Sequence, residues 1–166
     1  MTTQISGDTG ITTQVVQAAQ GLGGTPTFRA GANASQAVTN GVLTKVLLQT
    51  VVFDTGGLFA NSRFTPNIAG YYQINGVVRL VTDTGTEQAF AYIYKKGVAY
   101  SQGGVNFTIP GATGSKHPAI SDLVYLNGTT DYIELFGLVT GGANPRFDYT
   151  SAASCSLFSG FLARAA

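Results

Sequence analysis

Charge is what this chain of 166 residues has least of: aspartate, glutamate, lysine and arginine together make up 10% of it, nine basic against eight acidic. A formal net charge of +1 leaves no electrostatic footprint for a nucleic acid backbone or an anionic membrane, so neither is an expected partner. A single cysteine, Cys155, excludes an internal disulfide and a thiolate metal cage, and its neighbours Leu157 and Phe158 mark it as a packing residue. Tryptophan is absent, and every apolar run is broken long before the roughly 18 residues that a spanning helix needs. The start, Met1 to Asp8, has neither a basic region nor an apolar stretch of the secretory kind, so synthesis and residence in a cytoplasm are expected.

Catalytic chemistry is equally short of material. The one histidine, His117, lies in Gly114-Ser-Lys-His-Pro118 with no visible orienting partner, and no nucleophile elbow is present. Gly111-Ala-Thr-Gly-Ser-Lys116 is too closely spaced for a phosphate loop. Asp131 and Glu134 are three apart on an expected strand and point to opposite faces, which separates them as a glycosidase pair. Asp83 and Glu87, flanking Gly85, are the one calcium candidate, with a thin oxygen set; no other cofactor is expected.

What the chain does have is glycine, 22 residues of it, and β-branched and aromatic segments cut by turn signals such as Asn40-Gly41, Asn75-Gly76, Gly103-Gly104 and Asn127-Gly128. The pattern predicts strands over Lys45 to Phe53, Gly70 to Val81, Gln88 to Tyr94, Ala119 to Leu126, Tyr132 to Val139 and Ser154 to Ala163, hence an all-β two-sheet sandwich or jelly roll. Residues 1–24 read as a polar arm with a Gly-rich hinge, in which Ile11, Val15 and Ala19 share one helical face; residues 25–166 read as the head. In the head, Tyr72, Ile74, Val78 and Leu80 alternate onto a core face. Around Ile133 and Leu135 the opposite face is apolar too, through Tyr132, Phe136 and Leu138, so a second subunit is expected to cover it. Loop residues Asn144, Arg146 and Tyr149 are the best-placed candidates for holding a glycan.

Four segments in order carry a resemblance: Phe64-Thr-Pro-Asn-Ile-Ala-Gly-Tyr-Tyr-Gln-Ile-Asn-Gly-Val-Val, Ala91-Tyr-Ile-Tyr-Lys-Lys-Gly, Asp122-Leu-Val-Tyr-Leu-Asn-Gly-Thr-Thr-Asp-Tyr-Ile-Glu-Leu and Leu157-Phe-Ser-Gly-Phe-Leu-Ala. Together they resemble the globular head domain of complement component 1q, within the superfamily that includes the tumour necrosis factor jelly rolls. The resemblance spans about Phe28 to Ala163 and implies a jelly roll of about ten antiparallel strands that trimerises about a threefold axis. Matching the last strand to that family places Phe158 and Leu162 at the trimer interface, with Leu157 and Phe161 towards the core. Phe136, Asn75, Gln73, Tyr71 and Tyr132 would line the same interface, with Glu134 and Arg79 as nearby pairing partners.

No collagen-like tract precedes the head. Instead Ile5-Ser-Gly-Asp-Thr-Gly-Ile11 resembles the openings of bacteriophage tail and fibre proteins. The expectation is a non-enzymatic virion protein, assembled in the host bacterial cytoplasm and anchored to other virion proteins through residues 1–24. It would serve as a tail fibre or spike head in host attachment, meeting a surface glycan or protein, or as capsid decoration. A bacterial glycan-binding or adhesion module is the alternative from another class, and a polysaccharide hydrolase ranks third.

Overall fold

The computed structural model describes residues 24–85, 88–106, 114–150 and 155–166. Every regular element among them is a strand: β1 (Thr27–Gly31), β2 (Gln36–Ala37), β3 (Thr44–Lys45), β4 (Thr50–Asp54), β5 (Phe59–Ala60), β6 (Arg63–Phe64), β7 (Gly70–Val77), β8 (Leu80–Thr82), β9 (Gln88–Lys95), β10 (Val98–Asn106), β11 (Gly114–Lys116), β12 (Ala119–Leu126), β13 (Ile133–Thr140), β14 (Arg146–Phe147) and β15 (Leu157–Ala165). One sheet runs β12-β7-β15-β1-β4 and the facing one β10-β9-β13-β6-β5, with β3 also on β13; a four-stranded sheet, β11-β8-β14-β2, continues at one end. All pairings are antiparallel, and the architecture is a jelly-roll sandwich.

Period-two alternation decides the interior. Tyr72, Ile74, Val78 and Leu80 are buried, as the pattern predicts, and meet Ile93, Ile133, Leu135 and Val139 from the facing sheet. Phe28 on β1 sits at the aromatic centre, with ring centroids 4.3 Å from Phe64, 5.1 Å from Phe59 and 5.2 Å from Phe158. The Tyr72 hydroxyl donates to the Ile68 carbonyl at 2.7 Å, so its polar end is satisfied, and burial pushes its pKa up to about 12.

Three departures from the sequence pattern have a local reason. The run from Lys45 to Phe53 is two strands in different sheets, because β3 pairs with β13 and β4 with β1. Between them Val46 and Leu48 are buried, and Leu48 N–H turns to the Ser62 hydroxyl at 2.8 Å. The crossing segment carries Val46, Leu47 and Leu48 next to Val51, Val52 and Phe53 and so resembles one long strand. Gly70 to Val81 breaks after Val77, where Val78 N–H bonds the Pro118 carbonyl and Arg79 N–H the Ser156 hydroxyl. The Gly103-Gly104 pair is not a turn but lies within β10; a side chain at Gly103 would collide with the Ala119 backbone of β12, and one at Gly104 with Phe90.

Candidate functional site

Among the described residues the outer face of the five-stranded sheet carries a group of exposed apolar side chains, while Val51, Val52 and Phe53 on β4 and Val98 and Tyr100 on β10 are exposed as well. Tyr71 is 43% exposed, Leu123 51%, Tyr125 38% and Phe161 48%. The register unites them: Tyr71 lies opposite Tyr125, and Gln73 lies between Leu123 and Phe161. The Tyr71 and Tyr125 rings are tilted at 60° with centroids 5.4 Å apart, and the Lys95 ammonium, donating to the Tyr125 carbonyl at 2.7 Å, lies 5.7 Å from the Tyr125 ring.

Next to this patch runs a polar ladder. Gln73 Nε2 donates to Ser121 Oγ at 2.9 Å, and Ser121 Oγ donates to Asn75 Oδ1 at 2.9 Å, with Asn75 itself exposed. Short side chains follow, Ser121, Ser159 and Ala119, and they leave a concavity of about 410 Å³ over Gly76, Val77 and Leu157. This face therefore combines an exposed apolar cluster, a hydrogen-bonded polar ladder and a hollow on one sheet.

Of the residues expected at an interface, Tyr71, Gln73 and Asn75 are brought together on this face. Phe158 is not: it is 0% exposed, points into the sandwich and packs its ring against Phe28. Leu162 also packs towards the core, whereas Phe161 is outside. The two faces of β15 are therefore the reverse of the expectation. The physical reason is Gly160, which shares the Phe158 face: a Cβ there would stand 2.5 Å from Ile74 Cδ1 and 3.0 Å from Phe28 Cε1, so the glycine marks the crowded interior.

Tyr132, Glu134 and Phe136 lie on the outer side of the other sheet, where side chains of the same chain cover them. Tyr94 stacks on Phe136 at 3.8 Å and 18°, and the Arg63 guanidinium lies 3.7 Å over the Tyr132 ring. Glu134, 4% exposed, is paired with Lys45 at 2.7 Å and Arg63 at 3.0 Å, while Arg79 is paired with Asp148 at 3.1 Å; Glu134 and Arg79 are not partners in a shared surface. The second subunit expected over β13 is thus replaced, at these positions, by the chain's own side chains.

At one end of the sandwich, Asn144 and Arg146 both turn to Asp83, Asn144 Nδ2 donating at 2.8 Å and Arg146 Nη1 at 2.8 Å. The Arg146 bond, then the Asn144 bond, hold the Asp83 carboxyl below its usual range. Tyr149 N–H donates to the Ser35 hydroxyl at 3.0 Å. The expected ligand loop is therefore a cross-braced structure, and Asp83, the calcium candidate, already faces a cation; Glu87 lies outside the described residues. His117 is exposed. The Cys155 thiol is pulled below its usual range, first by a hydrogen bond with Thr150 at 3.3 Å and then by Arg79 Nη1 at 3.6 Å. No group of three or more His, Cys, Asp or Glu side chains able to hold a metal occurs among the described residues.

The fold is a tumour necrosis factor-like jelly roll. Two solved structures show the likeness: the Eiger tumour necrosis factor from S. frugiperda, with a TM-score of 0.58 and 8% identity, covers 86% of this chain and 93% of its own. Murine APRIL at pH 5.0, with a TM-score of 0.59 and 12% identity, covers 83% of this chain and 98% of its own. At such identities the likeness is one of fold. No family model and no curated protein matches the sequence.

Proposed function

We propose that the chain is a non-enzymatic homotrimeric head of a bacteriophage particle, either a tail fibre or spike tip that meets the host surface or a capsid decoration, anchored through residues 1–24. The observation that carries it is the exposed group of Tyr71, Leu123, Tyr125 and Phe161 outside a sandwich whose described residues already form a buried core. Large contiguous apolar surface on a soluble domain marks an interaction site, and a second and third copy are the occupants that the 1q-head resemblance implies. The opening Ile5 to Ile11, with its likeness to tail and fibre proteins, supports the virion context. Geometry agrees with an anchor and a free end. Pro26 enters beside the end of β15, its carbonyl accepting from Leu162 N–H, while the braced Asp83–Arg146 loops lie at the opposite pole.

Light scattering on the purified chain, with incorporation into particles as the second readout, tests the reading. A mass three times 17.2 kDa and incorporation that depends on residues 1–24 are expected. A monodisperse monomer, or normal incorporation without the arm, overturns it.

A further inference from the structure

A second surface, on the opposite sheet, has the chemistry of a small-ligand site. β3 and β6 lie end to end along the same side of β13, and where they meet Lys45 and Arg63 converge on one carboxylate oxygen, Glu134 Oε1. Two cations share one anion, so the cluster keeps one net positive charge. Lys45 uses a further hydrogen on the Asn61 carbonyl at 2.7 Å. Arg63 uses Nε alone, and among the described residues its two terminal nitrogens have no hydrogen-bond partner. Its guanidinium plane is held by the Tyr132 ring beneath it.

A cleft of about 460 Å³ opens at this point, with Lys45, Asn61, Arg63 and Thr65 as its polar lining and Leu58 and Ala60 as its apolar wall. Its shape is preset. Asn61 and Ser62 are both left-handed, at φ 52° and 57°, which is the two-residue hairpin turn between β5 and β6, and the buried Ser62 hydroxyl fastens that turn to Leu48. The Asn61 amide and the Thr65 hydroxyl have no side-chain partner among the described residues.

We propose that this cleft binds a carboxylate-bearing sugar ring, a uronic or sialic acid unit. The free Arg63 fork matches a carboxylate in geometry and the cluster's surplus charge matches one anion. Asn61 and Thr65 supply the neutral partners that ring hydroxyls require, and Leu58 and Ala60 face the ring's C–H surface. The site is built by one chain, so it stands whether or not the chain trimerises.

The test is isothermal titration of the full chain with methyl glucuronide and the methyl glycoside of N-acetylneuraminic acid, against methyl glucoside and sodium acetate. At least one acidic sugar binds in the millimolar range, and both the neutral ring and the ringless carboxylate bind about tenfold more weakly or worse. Arg63→Gln lowers that affinity about tenfold, and Asn61→Gly, which keeps the turn's backbone, lowers it several-fold; the oligomeric mass stays that of the unsubstituted chain. Failure of both acidic sugars to bind up to their solubility limit overturns the proposal. So does equal binding of glucoside or acetate, or an affinity untouched by Asn61→Gly and Arg63→Gln.

Discussion

Phe158 and Gly160 show how one residue's surroundings decide the meaning of its neighbours. Phe158 is fully buried against Phe28, so Phe158→Ala should cost about 3–5 kcal/mol as a cavity, and Phe158→Asp should prevent folding rather than merely dissociate an assembly. Urea titration followed by circular dichroism distinguishes the two outcomes: a folded Phe158→Asp monomer would contradict the core placement. Gly160→Ala should cost about 1–3 kcal/mol by overpacking against Ile74 and Phe28, measured the same way. Cys155 belongs to this scale as well. With Thr150 and Arg79 lowering its thiol, alkylation by iodoacetamide at neutral pH should slow in Arg79→Gln, read as a rate by mass spectrometry; no change would remove Arg79 as a cause.

Among elements, the turn between β12 and β13 carries a pH dependence with a definite sign. Asn127 Oδ1 accepts from the backbone N–H groups of Thr129, Thr130 and Asp131, and the Asp131 carboxylate accepts from Asn127 N–H and pairs with Lys95 at 3.0 Å. Burial alone would raise the Asp131 carboxyl, but the Lys95 and Asn127 bonds outweigh it and the net displacement is downward from 3.8. A carboxyl that is more acidic in the fold stabilises it above the unfolded pKa, and this contribution is lost as pH falls through the folded value. Thermal transitions should therefore drop below about pH 4, with a smaller drop in Asp131→Asn. Equal acid sensitivity in the two proteins would show that other carboxylates carry the effect.

The same scale shows what the sequence makes legible. Alternation on β7 and β13 identifies the interior correctly, because the two inner faces meet only each other. On β15 it yields two sets without saying which is inside, since Phe158 and Phe161 are equally apolar; the informative residue is Gly160, whose need for space is visible only once Ile74 is opposite it. Likewise, the apolar outer face of β13 suggests a missing subunit, but the partner that covers Phe136 is Tyr94 on β9, a pairing that spacing along the chain does not contain. The Lys45–Glu134–Arg63 cluster escapes sequence reading for a related reason: 89 residues separate Lys45 from Glu134 and 71 separate Arg63 from it.

For the whole molecule, the buried core of the described residues and the exposed patch make separable predictions. Phe161→Asp and Leu123→Asp place charges on the outer face and leave the interior untouched, so each should abolish the proposed trimer in light scattering while circular dichroism stays that of a β-protein. Trimers that survive both substitutions would move the interface elsewhere. Deleting residues 1–23 should leave the thermal transition within a few degrees of the full chain, because that segment is polar and the strands from Thr27 onward build a core among the described residues.

The pairing of Pro26 with Leu162, and of Ala166 N–H with the Ala69 carbonyl, brings the entry and exit of the sandwich to the same pole. A short Gly/Ser bridge from Ala166 to Gly24 would therefore close the backbone into a ring without crossing the sheets, and the ring could be reopened at Lys96–Gly97, a hairpin tip exposed to solvent. Such a circular permutant keeps every strand pairing and carries its new ends at the β9–β10 hairpin, a different attachment point for a fused enzyme or dye.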